Sequence, residues 1–187
     1  MVLVMAGAFL LLVAALVIGS FVRPELPPYL LTVPTPVTIG DTLAGPATYT
    51  LDASSTQQWR RFAFDRASVV DSGAWDVAFR RSHLITAEGG GIVDLGPVPF
   101  DSVAEAPETG YLANAATGDS TNPAVGKWYD YNMLSHLLMS KRHVYAVRTA
   151  RGKYAKLEFL AYYCKDGGTA CLTFRYAYQG DGSRRLK

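Results

Sequence analysis

A mainly β protein is predicted here: an antiparallel β-sheet domain preceded by a single transmembrane α-helix. Three observations predict it. The N-terminus is an uncharged apolar stretch, a proline-rich stretch follows it, and from residue 47 onward short runs alternating apolar with polar recur to the end. Alternation with a period of two is the signature of half-buried strands, and a charge-free stretch of about 20 residues is that of a membrane span.

The apolar stretch is Val2–Val22, with Arg23 the first charged residue. As a helix it would be about 31 Å long, the thickness of a hydrocarbon core. Val2, Leu10, Leu11, Leu12, Leu16 and Val22 are its expected lipid-facing anchor residues. Ala6, Gly7, Ala8, Ala14 and Ala15 are small enough for another helix to pack closely. The alternative is a cleaved secretion signal, which needs a positive leading region and an apolar core of about 7–15 residues. No Lys or Arg precedes this stretch and it is longer, so a retained anchor is the preferred reading.

Residues 23–46 hold six of the ten prolines (Pro24, Pro27, Pro28, Pro34, Pro36 and Pro46). Such a composition resists helix and favours extended chain. We read it as a semi-rigid strap that lifts the following domain off the membrane or lies along a neighbouring protein. Tyr29, Leu30, Leu31 and Val33 suit contact with a partner.

Residues 47–187 form the third unit, an extracytoplasmic β-rich domain. Strands are expected at 47–51, 58–65, 75–85, 128–131, 142–150, 153–163 and 170–178. In the last, Leu172, Phe174, Tyr176 and Tyr178 share one face; in the one before, Leu157, Phe159, Ala161 and Tyr163 do. Arg151-Gly152 is a tight turn between strands. Trp75, Val77 and Phe79 are expected to point inward, with Asp76 and Arg80 paired on the other face. Between 86 and 127 the strand signal fades, and so long a loop points to function or to order imposed from outside. A short helix is expected at 132–140, capped by Asn132, with Leu134, Leu137 and Leu138 on one face.

Cys164 and Cys171 are the two cysteines, and Asp166-Gly167-Gly168 between them is a turn signal. Strands closing on that turn bring the thiols into bonding range, which favours a disulfide and an oxidising compartment. Two buried free thiols are the alternative. Net charge is +2, from 18 basic and 16 acidic residues, so no global electrostatic partner is implied. Acids concentrate in residues 87–126 and bases in 127–187. A nucleic-acid partner is not expected of an anchored domain. No G-x-S-x-G, P-loop, H-E-x-x-H or C-x-x-C-H pattern occurs, and no enzymatic activity or metal site is expected.

Four segments in fixed order carry a resemblance: Trp75–Arg81 followed by Gly89-Gly90-Gly91; Trp128-Tyr129-Asp130-Tyr131; Val144–Leu157; and Thr173–Gln179. Over residues 47–179 the chain resembles the HmuY-type haemophores, β-rich haem-binding proteins of bacterial surfaces. The resemblance implies that fold and a haem held by two axial His or Met side chains on loops at one end of the sheets. Residues 84–132 contain neither His nor Met, so the long loop offers no donor. His83 with His136 or Met133 is the pairing left, since Met133, His136 and Met139 would share one short helix.

The function expected is therefore that of a single-pass, membrane-anchored accessory subunit of a larger complex, photosynthetic or respiratory in kind. Its partners are other membrane-protein subunits and the lipid bilayer, with the β domain in the periplasm and the anchor in a bacterial inner membrane. No cofactor or small-molecule ligand is expected. The alternative is a membrane-tethered haem or tetrapyrrole-binding protein.

Overall fold

The structure, a computed structural model, describes residues 2–21, 29–115, 121–133 and 135–187; for Val2, Leu3 and Ser20 only the backbone is described. Val22 of the expected anchor, Pro24, Pro27 and Pro28 of the strap, and Leu134 of the expected helix lie outside the described residues. The N-terminal stretch forms one helix, α1 (Val2–Phe21), with no acid in its first turn and no base in its last. Among the described residues no helix is long and apolar enough to cross a membrane; the unbroken run of described side chains in α1 is 4–19.

Among the described residues eleven strands follow: β1 (Leu43–Asp52), β2 (Arg60–Ala63), β3 (Ser68–Val70), β4 (Val77–Arg80), β5 (His83–Thr86), β6 (Gly91–Asp94), β7 (Tyr129–Asn132), β8 (Leu137–Ser140), β9 (Val144–Arg148), β10 (Tyr154–Tyr163) and β11 (Thr169–Gln179). They make a five-stranded sheet, β1-β11-β10-β9-β6, a four-stranded sheet, β3-β2-β4-β5, and the separate hairpin β7-β8, with antiparallel pairing throughout. The first and last strands of the domain are partners, so closure joins its two ends.

The core lies between the two sheets and is aromatic. Phe62 is fully buried, with Tyr49 4.9 Å, Phe174 5.2 Å, Tyr176 5.4 Å and Phe64 5.5 Å from its ring centroid. Phe79 stacks on Phe174 at 5.1 Å, and Trp128 on Phe159 at 4.3 Å. Such pairs contribute about 0.5–1.5 kcal/mol each beyond the area they bury. The expected inward face of β11 builds this core, as do Leu157, Phe159 and Tyr163 of β10; at the register shift around Ala161, Tyr162 joins the core in place of Ala161.

The other face of the larger sheet is buried too, which alternation alone does not predict. Lys156 and Glu158 are 3% and 4% exposed. The chain from 95 to 106 lies over them, with Phe100, Val144 and Ala177 buried together. The C-terminal tail closes the next patch, burying Leu186 against Ala106 and Ala146. The chain's own bonds tie this stretch to the tail: Ala106 donates to the Arg184 carbonyl and Leu186 to the Ala104 carbonyl, both at 2.8 Å. Further along, Asn114 and Asn122 satisfy the free edge of β5.

Several expectations are corrected. Residues 132–140 form no helix. Tyr129 and Tyr131 pair with Ser140 and Leu138, and Asn132 accepts from the Ser135 N–H, so its side chain shapes a turn rather than capping a helix. His136 takes a positive φ of 55° there. The leucine spacing fits a helix, and bonds to the core override it: Leu138 donates to the Tyr163 hydroxyl and the Ser140 hydroxyl to the Phe159 carbonyl. The expected strand 75–85 is two, broken at Arg81, whose φ is 55°. Trp75 stands half-buried under the Arg61 guanidinium instead of inward. Asp76 is buried and bonds the Phe64 N–H and Arg151; Arg80 instead lies over the Trp59 ring, 4.5 Å from its centroid.

Candidate functional site

Two turns, joined through Trp128, carry the candidate haem donors named above. The β4–β5 turn carries His83, and the β7–β8 hairpin projects as a finger bearing Met133 and His136 at its tip. Trp128 ties the two together. It is 1% exposed, stacks on Phe159, and donates from Nε1 to the Ser82 carbonyl at 2.8 Å. A residue able both to fill the core and to donate one hydrogen bond is what that junction requires.

His83 pairs across the turn with Arg80. The neighbouring pair, Phe79 and Leu84, faces the core, so His83 lies on the outer face of the smaller sheet, half-buried. His136 is exposed, and its Nδ1 lies 2.6 Å from the Tyr131 hydroxyl. Around it on the finger, Tyr131, Met133 and Met139 are 49%, 71% and 45% exposed. The third histidine, His143, binds both carboxylate oxygens of Asp94. None of the cavities described is lined by His83, His136 or Met133. No cluster of His, Cys, Asp and Glu that could hold a metal ion exists among the described residues.

The donor chemistry of the finger fits haem iron, which takes neutral imidazole or thioether sulfur. His136 and Met133 supply those groups, with exposed apolar side chains beside them. His83 and the finger are joined through Trp128, which bonds the Ser82 carbonyl next to His83.

Cys164 and Cys171 are bonded, with Cα atoms 4.8 Å apart. The Gly167 N–H donates to the Cys164 carbonyl, and Cys164 donates to Gly168, closing the expected turn. The strap runs along its own domain: Thr32 donates to the Thr50 carbonyl, Val37 to Arg66 and Ile39 to Asp65. Leu30, Leu31 and Val33 remain 67%, 52% and 78% exposed, and Tyr29 is half-buried.

A buried ionic group escaped the sequence. Asp76 accepts from the Phe64 N–H at 2.8 Å, and Arg151 bridges it to Asp65 at 3.2 and 2.6 Å. Burial pushes the Asp76 carboxyl above its ordinary value, against the pull of the Phe64 N–H and Arg151. Arg151 is legible only as a turn residue; nothing in the spacing ties it to a carboxylate 75 positions away.

The model of the family described as HmuY protein matches residues 49–176. A comparison with curated proteins finds no match. Among solved structures, a Bacteroides vulgatus protein described as a HmuY-like haem-binding protein aligns with a TM-score of 0.62 at 20% identity, over 74% of this chain and 96% of that one. The apo HmuY analogue of Tannerella forsythia aligns with a TM-score of 0.61 at 16% identity, over 71% and 95%. A Bacteroides fragilis protein described as a lipoprotein aligns at 0.60 and 16%, over 75% and 91%. At such identities the structural likeness shows the fold, and the family match covers most of the domain.

Proposed function

The chain belongs to the HmuY family, and on that premise we propose that it is a membrane-tethered haem- or tetrapyrrole-binding protein whose donor side chain is His136. The observation that carries this reading is the finger: an exposed imidazole, set beside exposed Tyr131, Met133 and Met139. Bound haem supplies an iron centre that accepts a lone pair. With its proton on Nδ1, His136 donates to the Tyr131 oxygen 2.6 Å away and leaves the Nε2 lone pair to the ligand. Tyr131 then sets both tautomer and ring orientation. The apolar side chains beside it offer contact to a flat macrocycle. No catalytic step belongs to this reading.

Helix α1 serves as the tether in this proposal, and the disulfide supports an oxidising, extracytoplasmic side for the domain. Nothing in the fold or the relatives points to a photosynthetic or respiratory complex. The chain around 104–106 is bonded to the protein's own C-terminal tail.

Titration of the full chain with haemin tests the proposal. A sharpened Soret band is expected, weakened at least tenfold in affinity in His136→Ala and about tenfold in Tyr131→Phe, the usual scale for a group that orients a ligand. His83→Ala is expected to bind as the wild type does. Identical titrations of wild type and His136→Ala would sink the assignment.

A further inference from the structure

The strap roofs a groove of its own. From Leu31 to Pro34 it crosses the open side of the sandwich, where β1 of the larger sheet and β3 of the smaller one leave a gap. Beneath and beside it run three adjoining cavities. The first, about 870 Å³, lies between Tyr29, Leu30 and the disulfide hairpin. The second, about 330 Å³, lies under Leu31 and Val33 against Tyr49, Leu51 and Val69. The third, about 380 Å³, is polar and opens at Gln57, Gln58, Arg60 and Arg61. Leu31 and Asp52 line both the first and second; Arg60 and Val69 line both the second and third. The space is therefore one groove, apolar at one end and cationic at the other, within the size range of ligand sites.

Arg60 holds the turning point. It faces the inner side of its sheet, opposite Phe79, and its Nε is buried with no hydrogen-bond partner. A guanidinium N–H kept from water without an acceptor costs free energy that an arriving anion returns. The carboxylates nearby are Asp52, which accepts from the Ser54 N–H at 2.8 Å and whose pKa is lowered first by Ser54 and also by the charge of Arg60, and Asp71 at the far rim; neither accepts from the Arg60 Nε. Lys165 and Asp166 stand together at the apolar mouth.

We propose that this groove binds a long-chain fatty acid, its carboxylate on Arg60 and its hydrocarbon tail running under Leu31 toward Leu30 and the disulfide hairpin. A single anionic head with one apolar tail matches the order of the lining. The site is separate from the finger, so its occupancy is independent of haem.

Photolabelling tests this, using the full chain in phosphatidylcholine nanodiscs and a diazirine analogue of palmitate. Label is expected on peptides holding Leu30 and Leu31 or Cys164 and Cys171. Palmitate is expected to compete and methyl palmitate to fail. Arg60→Gln is expected to weaken competition about tenfold, the scale of one charge-assisted hydrogen bond, and Arg60→Lys to recover part of it. Should Arg60→Gln misfold, Leu31→Asp, which alters an exposed side chain, is expected to abolish labelling with an unchanged melting curve. His136→Ala is expected to label normally, which separates this site from the haem reading. Label confined to α1, equal competition by the methyl ester or by phosphatidylcholine, cross-linked dimers in place of lipid adducts, or wild-type labelling in Leu31→Asp would overturn the proposal.

Discussion

Asp76 shows how a single carboxyl can couple the fold to pH. It is 1% exposed, and burial raises it above its ordinary value of 3.8. A carboxyl whose folded pKa exceeds its unfolded one stabilises the fold in the protonated form. That contribution is complete below the unfolded value and is lost as pH rises through the folded one. Urea unfolding of wild type and Asp76→Asn should therefore show the wild type's advantage shrinking as pH rises above about 4. Arg151 offsets part of the burial cost through Asp76 and Asp65. Its own side chain is 40% exposed, so water screens some of the attraction. Arg151→Met should cost about 2 kcal/mol, and far less in an Asp76→Asn background, where no buried charge is left unpaired.

At the scale of elements, the loop over the larger sheet and the C-terminal tail act as one cover. Lys156 reaches through it, donating from Nζ to the Phe100 carbonyl at 3.0 Å and to Val103 at 2.7 Å, while burial lowers its pKa. Leu186 anchors the tail in a pocket with Ala106 and Ala146. Leu186→Ala should cost about 2–3 kcal/mol, and amide exchange at Ala106, which is bonded to Arg184, should quicken more than exchange within β10. The disulfide closes a much shorter loop, seven positions apart in sequence. Replacing both cysteines by serine should cost about 2 kcal/mol in thermal or urea unfolding, the lower end for such bonds.

At the scale of the whole molecule, the domain closes by pairing β1 with β11, so its topology is dominated by non-local contact. The tether and the finger are parts of that whole whose roles are proposed. If α1 holds the chain in lipid, the full protein should stay with membranes through alkaline carbonate extraction; release into the supernatant would show that it does not. A tethered, haem-binding chain should turn such membranes red on exposure to haemin, whereas those carrying His136→Ala should colour far less.

The alternating runs, the turn at Arg151-Gly152, the disulfide hairpin and the family motifs were legible in the chain itself, because strand alternation and turn chemistry are local properties. The finger reads as a helix in the sequence because the leucine spacing there is helical, and it is bonds to Tyr163 and Phe159 that make it a hairpin. Asp76 with Arg151, the cover over Lys156 and Glu158, and the groove at Arg60 join residues far apart in the chain. Residue order by itself therefore determined the β class, the hairpins and the apolar N-terminal helix. Tertiary structure decided which polar groups are buried together and where the strap lies, because burial and pairing of charge depend on what the rest of the chain brings alongside.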